Sequence, residues 1–303
     1  MTAPFILEIK GNSLDDGPGI RTSLFLKGCP LRCIWCHNPE SKHFKQELSF
    51  DAAKCIGCGT CIRECPNHAL DLQNPRFIDR TVCSLCFSCA NACPSKALSC
   101  VGFTMEQDVL LERLLSDKPF YDVSGGGVTL TGGEATMYAE WTGTLAKKLR
   151  EADIHVLLET CGYFDYERTA AFLLPYLNTI YCDIKLFDRE QHKLYCGVYN
   201  DLILDNIRRL ATDANRFGYT FLPRVPLIPG ITDTSENLTA IADFLKEIAI
   251  AKTELLPYNP TWYSKADMLG AELSPQLRTL TSWQSEDAMS AMKEIFLSRN
   301  IEC

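Results

Sequence analysis

Short apolar runs separated by amphipathic stretches set the pattern along most of this 303-residue chain. Phe5-Ile6-Leu7-Glu8-Ile9 and Thr22-Ser23-Leu24-Phe25-Leu26 read as strands. Between them, residues 11–19 are rich in Gly, Asp and Pro and read as a loop. Beyond residue 101 the alternation becomes regular. Residues 128–131, 155–158, 179–183, 220–225 and 253–256 read as short buried strands. Helical periodicity separates them over 106–115, 140–151, 166–177, 205–214 and 237–248. Strand and helix in alternation imply parallel strands joined by right-handed crossovers. With the N-terminal strands this makes about six β/α units, too few for a closed barrel of about 250 residues. The expected fold is α/β, a partial (β/α)6 TIM-like barrel. Residues 1–50 begin it, residues 51–101 are an insert, and residues 102–303 complete it.

The insert breaks the pattern and holds nine of the sixteen cysteines. It carries a repeat with a period of 28 residues: Cys55-x2-Cys58-x2-Cys61-x3-Cys65-Pro66, then Cys83-x2-Cys86-x2-Cys89-x3-Cys93-Pro94. Each half resembles the cysteine run of bacterial ferredoxins, in which the fourth cysteine ligates the other cluster. The resemblance implies a ferredoxin-like domain with two 4Fe-4S clusters. Cys55, Cys58, Cys61 and Cys93 would hold one; Cys83, Cys86, Cys89 and Cys65 would hold the other. Zinc is the alternative, but zinc sites use two C-x2-C pairs separated by a longer loop. The two clusters could relay electrons or serve docking and folding; two cubes within one small fold favour the relay.

A second constellation lies upstream. Cys29, Cys33 and Cys36 are spaced C-x3-C-x2-C with no fourth cysteine nearby. An iron–sulfur cube normally takes four thiolates. Three leave one iron open, and an open metal position is where a substrate binds. The spacing resembles that of the radical S-adenosylmethionine (SAM) enzymes. The resemblance implies a third 4Fe-4S cluster whose open iron is chelated by SAM. It also implies reductive cleavage of SAM to a 5′-deoxyadenosyl radical.

Asp16-Gly17-Pro18-Gly19-Ile20-Arg21-Thr22, then Gly28-Cys29-Pro30-Leu31-Arg32-Cys33, then Cys36-His37-Asn38-Pro39 sharpen the likeness. Their order resembles that in the activating enzymes of glycyl radical enzymes. These draw a hydrogen from a backbone glycine in a loop of a partner enzyme. Gly132-Gly133-Glu134 closes a strand and resembles the motif that holds the SAM amino group, and Ser124-Gly125-Gly126-Gly127 also matches. Glycines allow close backbone approach, and strand C-terminal ends face the active site in barrels. Asp183 and Lys185 lie two residues apart, so both face one side of their strand. The resemblance makes them the catalytic pair that contacts SAM and the incoming glycine loop; an ion pair capping a strand is the plain alternative. Arg224 resembles an arginine that grips the SAM carboxylate bidentately. Glu159-Thr160 occupies the place of an acidic residue and threonine that hold a monovalent cation near SAM, though Glu159 is one methylene longer. Asn38 is the residue of its loop expected to contact SAM, with His37 left to packing. Asn259 stands where the family often has His and receives no role. Cys100, Cys161, Cys182, Cys196 and Cys303 read as buried thiols without chemistry.

Composition narrows the setting. Net charge is −8, which disfavours nucleic acid held on a basic face. The N-terminus lacks a basic region followed by an apolar run, and no stretch approaches the length of a membrane span. Clustered C-x2-C spacing without export signals points to metal in a reducing compartment. A cytoplasmic protein is therefore expected, in an anaerobic or microaerobic host. Its expected partners are a glycyl radical enzyme and a flavodoxin or ferredoxin as electron donor. Two other readings share parts of this evidence. One is a radical SAM enzyme acting on a small molecule or peptide; the other is an electron-transfer ferredoxin fused to an inactive barrel, which the intact triplet disfavours.

Overall fold

The computed structural model describes residues 3–273 and 275–303. Nine strands form among the described residues: β1 (Ile6–Ser13), β2 (Arg21–Leu26), β3 (Glu47–Phe50), β4 (Leu98–Val101), β5 (Gly127–Gly132), β6 (His155–Thr160), β7 (Thr179–Asp183), β8 (Thr220–Pro226) and β9 (Glu254–Leu256). Seven make one sheet in the order β1-β2-β5-β6-β7-β8-β9; β3 and β4 make a separate pair. From β2 to β9 every neighbour in the large sheet is parallel. β1 runs antiparallel to β2. That edge departs from the all-parallel expectation because a parallel pair needs a crossover of a dozen or more residues, and only residues 14–20 join β1 to β2. β1 also runs four residues past the expected strand, through Gly11 and Asn12.

In-register parallel neighbours share a face, and the two faces differ sharply. Leu24 and Leu26 of β2, Val128 and Leu130 of β5, Val156 and Leu158 of β6, and Ile180 and Cys182 of β7 are all fully buried under helices. Helices Gln107–Leu115, Ala139–Glu151, Asp201–Phe217 and Ser235–Glu247 supply the opposing Leu110, Leu145, Ile207 and Ile241. The other face carries Arg21 and Ser23 of β2, Thr129 and Thr131 of β5, Glu159 of β6, Tyr181 and Asp183 of β7, Arg224 of β8 and Glu254 of β9. So many hydrogen-bonding groups do not build a dry core, since each would need a partner. They line a site.

Residues 47–101 fold around a small core of their own. Leu48, Ala69, Leu70, Phe77, Ile78, Ala97 and Leu98 pack with Cys61, Cys65, Cys89 and Cys93. Two one-turn helices, Thr60–Arg63 and Ser88–Ala92, start just before Cys61 and Cys89 of the two repeats. β3 lies on the other side of the boundary expected at residues 50 and 51, because its antiparallel partner is β4. The helix expected at 166–177 stops at Phe172, and Leu174–Tyr176 forms a 3-10 turn. Pro175 has no N–H to extend an α-helix. Helices Lys118–Ser124, Arg189–Cys196 and Glu286–Leu297 were not expected from periodicity.

Candidate active site

The cysteine triplet follows β2 on a loop fixed by its backbone. Gly28 N–H donates to Ser41 O at 2.7 Å, and Cys29 N–H to Lys42 O at 3.3 Å. Arg32 and Ile34 donate to the carbonyls of Cys196 and Tyr195, at 2.8 and 3.1 Å. The last turn of helix Arg189–Cys196 thus holds the middle of the loop. Cys33 is buried, and Cys29 and Cys36 are half-buried. Burial pushes the Cys36 thiol up to about 12. A hydrogen bond with the Cys196 thiol pulls Cys33 down to about 7 against its burial. Cys161 lies against Cys29, and burial, then that contact, raises the Cys161 thiol. Sequence reasoning gave Cys161 and Cys196 no chemistry, yet both stand beside the triplet; nothing in their local sequence signals a contact that tertiary packing creates. Cys161, Cys182 and Cys196 are buried, Cys303 is half-buried and Cys100 is exposed.

β5 delivers Gly132-Gly133-Glu134 against this loop. Gly132 has φ +104°, and a Cβ there would come within 2.4 Å of Leu26 N. A Cβ on Gly133 would come within 2.2 Å of Gly28 O. The glycines let β5 close on β2 and the triplet loop, and Glu134 N–H seals the contact with a 2.8 Å bond to Gly28 O. The Glu134 side chain is fully buried and fully engaged. One oxygen accepts from the hydroxyls of Thr136 and Thr160, at 2.7 and 2.8 Å; the other accepts from Cys161 N–H at 2.7 Å. Its carboxylate therefore ties β5 to the end of β6, and what the motif offers a ligand is its backbone.

Across the polar face, Glu159 Oε1 meets Arg224 Nη1 at 2.6 Å, and Oε2 accepts from Thr131 Oγ1 at 2.6 Å. Burial raises the Glu159 carboxyl above its usual range, with Arg224 and Thr131 pulling the other way. Burial also works against the Arg224 charge, but Glu159, Asp183 and Glu254 together raise it. Arg224 Nε lies 3.1 Å from Glu254 Oε2, yet has no aligned hydrogen-bond acceptor. Glu159 and Glu254 thus hold the guanidinium from two sides on the polar face. Lys185 Nζ lies 2.7 Å from Asp183 Oδ2. Burial opposes the Lys185 charge, but Asp183, then Cys33 and Cys161, hold it well above the usual lysine range. The pair thus sits at the triplet. Asn38 Oδ1 accepts from Lys265 at 3.2 Å. His37 packs on Trp262 and Tyr258, with ring centroids 6.4 and 6.1 Å away.

Arg21 received no role from sequence. It is buried, donates to Thr129 Oγ1 at 2.7 Å and Val128 O at 2.8 Å, and approaches His155 Nδ1 at 3.3 Å. Burial lowers it to about 10, and burial with Arg21 beside it lowers His155 to about 4. A neutral His155 can accept from this guanidinium and anchor the start of β2.

The insert brings its cysteines together in two crossed sets. A small cavity is lined by Cys55, Cys58, Cys61 and Cys93, with Ile62, Phe77 and Leu98. A second is lined by Cys65, Cys83, Cys86 and Cys89. Each cavity draws its fourth cysteine from the other repeat. Burial raises Cys89 to about 11, and Cys65, Cys83 and Cys86 add to the shift. No group of three or more His, Cys, Asp or Glu side chains among the described residues converges on a single ion position; the thiols surround volumes instead.

Comparison with known proteins accords with this geometry. Residues 48–71 match the family model for a 4Fe-4S binding domain. The chain is 38% identical to the benzylsuccinate synthase activating enzyme of Thauera aromatica, covering 89% of this chain and 83% of that one. It is 38% identical to the isethionate sulfite-lyase activating enzyme of Nitratidesulfovibrio vulgaris, covering 89% of each. It is 35% identical to the trans-4-hydroxy-L-proline dehydratase activating enzyme of Clostridioides difficile, covering 98% and 97%. A radical SAM methyltransferase from Sphaerobacter thermophilus shares the fold, with a TM-score of 0.51 and 12% identity over 99% of this chain and 76% of that one. This chain belongs to the activating enzymes of glycyl radical enzymes, which are radical SAM oxidoreductases.

Proposed function

We propose that the polar face and the triplet loop form one site that binds SAM and receives the glycine loop of a partner glycyl radical enzyme. The observation that carries this reading is the convergence of three features: the triplet, the Asp183–Lys185 pair beside it, and Arg224 in register with Asp183 on the same sheet face. The sheet is read as a partial (β/α)6 barrel interrupted by a ferredoxin-like insert. The expected division into residues 1–50, 51–101 and 102–303 is shifted at its first boundary, to 46 and 47, so that β3 falls in the insert.

Cys29, Cys33 and Cys36 would hold a 4Fe-4S cluster with one open iron. Two further cubes fit the crossed sets Cys55/Cys58/Cys61/Cys93 and Cys65/Cys83/Cys86/Cys89, whose four-cysteine cavities support that count. When bound, the triplet's cluster supplies the electron that cleaves SAM to the radical which takes a hydrogen from glycine. The chain's residues do the rest by orientation. Arg224 offers its guanidinium charge to the SAM carboxylate. Gly132, Gly133 and Glu134 offer backbone to the SAM amino group, and Asn38 is the further contact from the triplet loop. Asp183 and Lys185 present a carboxylate and an ammonium where co-substrate and glycine loop meet. Glu159 holds Arg224 in place, an alternative to holding a monovalent cation. The insert would pass electrons from a flavodoxin or ferredoxin. No described helix is long and apolar enough to cross a membrane, and a cytoplasmic enzyme accords with the reduced thiols its clusters need.

The test is Cys29→Ala in the iron-loaded protein. The reading expects 5′-deoxyadenosine formation to disappear while the insert keeps its iron. Unchanged SAM cleavage would overturn the site assignment.

A further inference from the structure

Lys27 is the residue before Gly28-Cys29, and its side chain is completely buried. Buried lysines are rare and are retained only when paired. Its Nζ lies 2.5 Å from Glu47 Oε2 and donates to Glu40 O at 2.6 Å. Glu47 opens β3, the first strand of the insert. The return path of the chain closes on the same side chain. A Cβ on Gly102 would approach Lys27 Cδ to 3.0 Å, and Gln46 Nε2 holds Gly102 O at 2.8 Å. The Lys27 backbone is fixed as firmly, with N–H donating to Phe5 O at 2.9 Å and its carbonyl accepting from Tyr138 Oη at 2.6 Å. Entry strand, exit turn, β5-side aromatic and triplet loop therefore meet at one lysine.

We propose that Lys27 is a positioning residue, and that its pair with Glu47 sets the spacing between the triplet and the insert's cysteine sets. Arg76 and Arg80 also tie the insert to Met268, Gly270 and Glu272, but through exposed contacts, which hold position weakly; the Lys27 end of the pair is buried. A buried ion pair has one favourable geometry, because any swing of β3 strands a charge in a dry environment. Electron tunnelling falls steeply with distance, so a pair that fixes this spacing controls any transfer between insert and triplet. The inference rests on the proposed three-cluster reading.

The experiment uses the full chain loaded with iron and sulfide and reduced with dithionite. Reduced clusters are paramagnetic, and neighbouring ones broaden each other's EPR signals and speed their relaxation. Wild-type protein is compared with Lys27→Met and with the double variant Lys27→Met/Glu47→Leu, which removes both charges. The expected result is full iron content with loss of the spin–spin broadening and easier microwave saturation of the triplet signal in both variants. Glu47→Gln keeps the shape, removes the charge and carries the test should Lys27→Met fail to fold. Wild-type broadening and saturation in variants with full iron content would overturn the inference. Wild-type protein that holds fewer than three clusters would instead overturn the reading on which it rests.

Discussion

Arg224 Nη1 sits 2.6 Å from Glu159 Oε1, while the same arginine's Nε lies 3.1 Å from Glu254 Oε2. One guanidinium thus bridges two carboxylates on the polar face. Removing it with Arg224→Met takes away a charge-assisted contact to the SAM carboxylate. Such contacts are worth about 1.5–3 kcal/mol, so SAM affinity should fall about tenfold or more. Lysine should restore little of it, because an ammonium lacks the planar fork. Calorimetric SAM titration of the iron-loaded protein checks both.

The same substitution has a pH signature. Glu159 already has a raised folded pKa because of burial, and Arg224 is the charge that restrains it. Without Arg224 the folded carboxyl binds its proton more tightly still. A folded state that binds more protons than the unfolded chain loses stability as pH rises. The destabilisation by Arg224→Met, about 1–3 kcal/mol for a buried group left unpaired, should therefore be smallest near pH 4.5 and grow through Glu159's elevated pKa. Denaturant unfolding at several pH values measures it, and a pH-independent difference would contradict the pairing.

Glu134 should behave as a fastener. Both its oxygens are occupied within the protein. Glu134→Ala leaves the Thr160 O–H and the Cys161 N–H without their acceptor, and should cost about 2–5 kcal/mol before any ligand is added. A residue that only grips SAM would leave the melting temperature of the ligand-free protein unchanged.

Gly133→Ala tests the contact between β5 and the triplet loop. A methyl within 2.2 Å of a backbone carbonyl forces the loop to move. The variant should lose the triplet's cluster and keep the insert's two, seen as one-third less iron per chain than wild type.

The crossed cysteine sets make a combinatorial prediction. Cys58 and Cys93 line one cavity; Cys86 lines the other. Cys58→Ser/Cys93→Ser should abolish one insert cluster, whereas Cys86→Ser/Cys93→Ser should abolish both. Iron content and EPR of the reduced proteins separate the two. Sequential pairing within each repeat would invert the pattern.

What the chain reveals before folding follows from where each interaction lives. The strands β5 to β9 announce themselves as apolar runs because their helix-covered residues are fully buried. The cysteine spacings are local, and their crossed pairing follows from the ferredoxin likeness. Helix Arg189–Cys196 stays hidden because only His192 and Cys196 of its eight residues are buried. The engagement of Glu134 is invisible for a different reason: its partners Thr160 and Cys161 lie on the next strand, more than 20 residues away. The glycines of the same motif also let Leu26 and Gly28 approach closely, a contact between strands that spacing alone does not show. Lys27 looks like an ordinary surface lysine until Glu47 is brought to it.

The most direct measurement is anaerobic EPR on the iron-loaded, reduced protein mixed with SAM and, in turn, with each glycyl radical enzyme of its host. The account predicts a stable glycyl doublet with one partner, absent with Cys29→Ala. Formation of 5′-deoxyadenosine with no doublet from any partner would contradict it and move the radical's target to a small molecule or peptide.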